Sequence, residues 1–173
     1  MSFVVIVGNP RPGSRTHSAA VSAARAVAGA AGIDAEPVVI DLSALAPGLL
    51  LTEPSAVIAD ALAVVASADL VVVASPTYKA TYTGLLKVFL DRLPSGALEG
   101  VVALPLLVMG APQHALAVEV HLRPLLVELG ATVPTPGLAL LESQFDQLDS
   151  VLAEWANKIV SAVRGAVTAE VAR

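Results

Sequence analysis

Residues 8 to 18 read Gly-Asn-Pro-Arg-Pro-Gly-Ser-Arg-Thr-His-Ser and stand between an apolar run, Phe3 to Val7, and an alanine-rich segment with helical character. Their types suit the binding of an anion. Gly8 and Gly13 let the backbone approach a ligand closely, and Ser14, Thr16 and Ser18 supply hydroxyl donors. Arg11 and Arg15 can neutralise a phosphate dianion through charge-assisted, bidentate hydrogen bonds. A helix beginning near residue 15 adds free N–H groups and the positive end of its dipole. A nucleotide phosphate and a flavin phosphate are both open at this point, as is a loop that merely caps the helix. A cap alone does not call for two arginines and three hydroxyls.

The better-known phosphate and nucleophile motifs do not fit. Gly8 and Gly13 have the G-x-x-x-x-G spacing of a P-loop, but Ser14 stands where the phosphate-binding lysine belongs and Arg15 where the magnesium-binding hydroxyl belongs. The run Leu70 to Ala74 leads into Ser75-Pro76, so the metal-holding aspartate is missing too. Asn9-Pro10 interrupts the dinucleotide fingerprint G-x-G-x-x-G. No G-x-S-x-G elbow occurs, which removes one class of serine hydrolase. The chain has no cysteine, hence no disulfide, iron–sulfur ligation or thiol nucleophile, and His17, His114 and His121 lack metal-ligand spacing. Neither a metal site nor a catalytic acid–base set is expected.

The elements that must position the loop follow from the hydrophobic pattern. Short continuous apolar runs occur at Phe3 to Val7, Val38 to Ile40, Leu70 to Ala74 and Val101 to Met109, with a weaker one at Gly137 to Leu141. Continuous apolarity marks strands covered on both faces. Helix-like stretches alternate with them at about residues 15–31, 55–67, 83–93, 113–130 and 144–165, and the tail from Gly165 to Arg173 is expected to fray. Pro124 lies inside the fourth stretch, where it removes an N–H and frees the carbonyl of Val120, so a kink is expected. Five β/α units with right-handed crossovers make an open parallel sheet, in either a flavodoxin-like or a truncated nucleotide-binding order. In both, the loop after the first strand opens onto the ligand crevice beyond the strands' carboxyl ends.

Composition narrows the class further. The 173 residues fit one domain, taken as residues 1–173, with 15 acidic against 10 basic side chains, which argues against a nucleic-acid surface. Although 55% of residues are hydrophobic, Asp69, Pro76, Pro105 and Gly110 interrupt the apolar runs well short of the ~20 residues that a membrane-spanning helix needs. No membrane association is expected. No export signal is visible in residues 1–15, so a cytoplasmic location is expected by default.

The loop after the third strand opens "ASPTYKATYTGLLKVFLDRLP", residues 74 to 94. Pro76 stiffens the turn, while Thr77, Tyr78 and Lys79 offer backbone amides and an aromatic ring beside the first loop. Such a surface suits an isoalloxazine ring, which needs contact on its face and donors where charge develops on reduction. With these residues the chain resembles the NADPH-dependent FMN reductases of the flavodoxin-like fold, particularly those that supply two-component monooxygenases such as the alkanesulfonate systems. The resemblance rests on four stretches in order: Gly8 to Arg11, Ser75 to Lys79, Thr83 to Asp91, and Leu116 to Pro124.

That resemblance implies an α/β, flavodoxin-like three-layer sandwich with a five-stranded parallel sheet in the order 2-1-3-4-5. It implies a hydride transfer from NADPH or NADH to FMN, with Asn9, Arg11, Ser14, Thr16, His17 and Ser18 about the phosphate. Pro76, Thr77, Tyr78 and Lys79, with Gly110 and Ala111 after the fourth strand, would border the flavin. Absence of an acid–base set is consistent with such a reaction, because the cofactors carry the chemistry. FMN is expected to exchange rather than stay bound, a flavin-dependent monooxygenase is the expected partner, and a homodimer or homotetramer is expected. That assembly would pack the helix from Thr83 to Leu93, on which Leu86, Phe89 and Leu90 look exposed beside Lys87 and Asp91. Related sulfonate-system reductases carry a tyrosine in a widened helical turn at the position of Val120, from which this chain departs. The alternatives within the fold are an FMN-retaining quinone, azo-dye or chromate reductase and a flavodoxin-like electron carrier.

Overall fold

Val4 and Ile6 enter one apolar core while Phe3, Val5 and Val7 enter another, the period-two division a strand makes when both faces of its sheet are covered. The computed structural model describes residues 1–171. Five parallel strands, β1 (Phe3–Val7), β2 (Val38–Asp41), β3 (Leu70–Pro76), β4 (Val102–Met109) and β5 (Leu138–Leu141), form one sheet in the order β2-β1-β3-β4-β5. The order is the flavodoxin-like one, and its switch point lies between β1 and β3. Helices α1 (Arg15–Ala31) and α6 (Leu148–Val171) cover one face. The other carries α3 (Ala56–Ala66), α4 (Gly84–Leu90) and α5 (Arg123–Glu128), with a one-turn helix, α2 (Leu42–Leu45), after β2.

Helix α1 shows how local signals set an element. Ser14 takes the N-cap position and its hydroxyl oxygen accepts the His17 N–H. Gly32, at φ 67°, ends the helix in the left-handed conformation, and the Ile33 N–H returns to the Ala28 carbonyl at 2.9 Å. Between the caps, Ala19, Ala20, Ala23, Ala24 and Val27 form a stripe of small residues that lets the helix lie close on the sheet. Pro105 is tolerated within β4 for a related geometric reason. The Ala103 N–H reaches the Thr132 carbonyl, so alternation aims the missing Pro105 donor at the same side, before β5 begins pairing at Leu106.

Three elements depart from the sequence expectation. Strand β3 runs two residues further, to Pro76, paired with Val108. The stretch 113–130 is not one helix but a 3-10 turn (Pro112–His114), a π turn (Val118–Leu122) and α5. Pro124 cannot continue the α-helical ladder, and the Arg123 N–H instead reaches five residues back to the Val118 carbonyl. The Glu119 carboxylate then accepts from the Arg123 side chain and the Gly137 N–H, while Arg123 also donates to the Val133 and Thr135 carbonyls. Those bonds, the Arg123 one first, hold the Glu119 carboxyl below the usual range. The widened turn thus forms with Val120 in place of tyrosine. Finally, the last helix is preceded by a 3-10 segment, Glu142–Gln147, and continues to Val171 instead of fraying from Gly165; Ala172 and Arg173 lie outside the described residues.

A fourth departure concerns α4. Leu86, Phe89 and Leu90 are fully buried in the chain's own core. They pack inward against the sheet, while Thr83 caps the helix start and donates to the Gly8 carbonyl. They therefore offer no surface to a partner. Lys87 and Asp91 form an ion pair with each other on the exposed side, which raises the lysine pKa.

Candidate functional site

At the carboxyl ends of the strands the loops after β1, β3 and β5 and the end of β4 enclose a cavity of about 470 Å³, within the range of small-molecule sites. The loop after β1 forms its floor. Gly8 must be glycine: a Cβ there would lie 2.7 Å from the Leu86 Cβ and 3.2 Å from the Ala74 carbonyl oxygen. Its N–H donates to that carbonyl at 2.7 Å, and its own carbonyl accepts the Thr83 hydroxyl at 2.5 Å. Asn9, buried, accepts the Arg11 N–H at 2.9 Å and donates to the buried Thr16 hydroxyl at 3.1 Å. Gly13, at φ 60°, turns the chain into the helix in a conformation that side chains resist.

These bonds divide the expected residues by role. Asn9 and Thr16 line the cavity, and their mutual bond shapes the loop. Ser14 lines it with its hydroxyl hydrogen still free to donate, because its oxygen acts as the acceptor of the cap. Arg11 lines it too, and its guanidinium has no acceptor among the described residues. Pro76 and Tyr78 form the opposite wall. His17 and Ser18, in the first turn of α1, and Thr77, Lys79, Gly110 and Ala111, in the loops after β3 and β4, do not line the cavity. Gly110 is exposed with open space where a Cβ would stand, and Ala111 is half-buried. Pro12, Gly13, Arg15, Val108 and Glu142 complete the lining. Val108 and Glu142 have no local sequence signal except their place at the carboxyl ends of the fourth and fifth apolar runs.

The wall after β3 is strained. Lys79 and Ala80 have φ of 52° and 68°, and the Tyr78 and Thr81 backbones bond to each other across them at 2.8 and 3.3 Å. Positive φ at both central residues defines a type I′ turn, where asparagine and glycine are usual and other side chains are strained. The Thr77 hydroxyl beside it is buried without a partner. An orphaned donor, a helix N-terminus, a free guanidinium and a free hydroxyl all fit a ligand with a phosphate and a polar-edged ring.

The chain matches the family described as "NADPH-dependent FMN reductase" over residues 1–146. It belongs to that family. An FMN reductase (NADPH) of Escherichia coli (strain K12) is 36% identical over 146 residues, which span 83% of this chain and 75% of the relative. The NADH-dependent FMN reductase SfnF of Pseudomonas putida is 38% identical over 79 residues, 46% of this chain and 42% of that protein. Among solved structures, the apo form of an NADH:FMN oxidoreductase (EMOB) superposes with a TM-score of 0.83 at 36% identity, covering 94% of this chain and 88% of that one. In this FMN reductase family member the matched region holds the loops after β1, β3 and β4 and reaches Glu142 and Phe145. Among the described residues no cluster could hold a metal ion, and no helix is long and apolar enough to cross a membrane.

Proposed function

We propose that the protein reduces FMN with NADPH or NADH, and that the cavity after β1 and β3 is where FMN binds. The free Arg11 guanidinium beside the N-terminus of α1 carries this reading, since together they hold a phosphate dianion. When bound, FMN supplies the hydride acceptor and the nicotinamide the donor. The chain's own part is to bind and to orient. Ser14 and the first-turn amides of α1 donate to the phosphate, and Pro76 and Tyr78 border the ring. No side chain need move a proton.

FMN acts in this reading as an exchanging substrate, and reduced flavin leaves for a flavin-dependent monooxygenase; the SfnF relative, an NADH-dependent FMN reductase, supports the reduction itself. Tyr78 is 43% exposed, so the ring wall stays open. The assembly is a homodimer or homotetramer, with the exposed Leu116, Val120 and Val127 after β4, not α4, as the apolar surface it covers. A cytoplasmic location accords with the substrates. Anaerobic titration with FMN and then NADPH tests the activity. The expected result is saturable binding, then loss of flavin absorbance over many equivalents per protein. A desalted sample that stays stoichiometrically yellow and ignores added FMN would favour a retained flavin and a second acceptor.

A further inference from the structure

Among the residues that line the cavity Glu142 alone is acidic. It is the first residue of the 3-10 segment after β5, and the Leu141 N–H bonded to the Gln144 side chain at 2.9 Å pins the start of that segment. Its Oε2 lies 2.9 Å from Nη2 of Arg15, the first residue of α1. The Arg15 guanidinium also rests on the ring of Phe145, 5.7 Å from its centroid. The segment after β5 thus holds Arg15 by both charge and stacking. Both members of the pair are exposed, and exposed pairs contribute little to folding. The position of this pair matters more to what enters the cavity.

We propose that Glu142 sets flavin affinity: its carboxylate competes with the phosphate for Arg15 and so keeps FMN exchangeable. The inference rests on the phosphate reading above. A phosphate monoester brings nearly two negative charges at neutral pH. At the N-terminus of α1 it meets one uncommitted guanidinium, that of Arg11, and one already engaged. Two arginines and one glutamate leave a single net positive charge in the lining instead of two. The phosphate must either displace Glu142 from Arg15 or accept its charge nearby, and both weaken binding. The isoalloxazine and ribityl parts carry no such charge, so the effect is confined to phosphorylated flavin.

Equilibrium titrations of FMN and of riboflavin, followed by flavin fluorescence, test this on the full chain. Glu142→Gln should lower the FMN Kd roughly three- to tenfold at low salt, leave the riboflavin Kd unchanged, and steepen the salt dependence of FMN binding. In an Arg15→Gln background the same substitution should gain about twofold or less, since the competition then lacks its object. Arg11→Ala serves as the marker of the phosphate position and should weaken FMN alone. If Arg11→Ala weakens FMN but Glu142→Gln does not tighten it, tightens riboflavin equally, or gains as much without Arg15, the competition is overturned while the phosphate reading stands. If Arg11→Ala leaves FMN binding unchanged, both fall.

Discussion

The two loops that face each other across the cavity are built in opposite ways. After β1, Gly8 bonds to Ala74 of β3 and to Thr83, Asn9 to Thr16 and to the Arg11 N–H, and Ser14 accepts the His17 N–H, so none of these side chains buries a polar atom without a partner. After β3, Thr77 buries a hydroxyl with none, and Lys79 and Ala80 hold a turn that neither residue favours. One loop is preorganised without a ligand. The other stores strain and an unmet hydrogen bond, costs persisting where the surroundings over-determine a conformation. On the proposed function, this division would put rigidity at the phosphate and tension at the ring.

Substitutions can break or sharpen that contrast. Gly8→Val should have the largest effect, since its side chain would meet Leu86 and the Ala74 carbonyl: a loss of about 3 kcal/mol in denaturant unfolding, together with loss of FMN binding. The paired threonines come next. Thr16→Val removes the acceptor of the buried Asn9 amide and should cost about 1–2 kcal/mol. Thr77→Val removes a hydroxyl that has no partner, so the ligand-free protein should lose no stability and gain up to about 1 kcal/mol. Equal losses from the two valines would erase the distinction between the loops. Ala80→Gly should act least, relieving one left-handed residue and raising stability by about 0.5–1 kcal/mol, with slightly weaker FMN binding as Tyr78 loosens; calorimetry with and without FMN reads both.

The preorganised loop was also the more legible one. Strand β1 and helix α1 match the apolar run Phe3 to Val7 and the helix-like stretch at residues 15–31, because both arise from short-range preferences. The strained turn carries no such signal, since Lys79-Ala80 is not a pair that asks for positive φ. Glu142 is 127 positions from Arg15 only in the chain, and topology alone brings them together. The kink near Pro124 is legible, but the bonds from Arg123 and Glu119 to the crossover at residues 133–137 join distant segments and are not encoded in helical periodicity. Leu86, Phe89 and Leu90 look exposed in sequence because the stripe they form is read without knowing which side of α4 meets the sheet.

The central claim is that the loop after β1 holds the phosphate and the loop after β3 the ring, and mapping of backbone amide chemical shifts tests it most directly. Inorganic phosphate should move the amides of residues 10–17 and leave residues 77–82 in place. FMN should move both sets, and riboflavin chiefly the second. Phosphate-induced shifts confined to another part of the molecule, such as the cavity between Ile33 and Val167 at the far end of α1, would contradict the account.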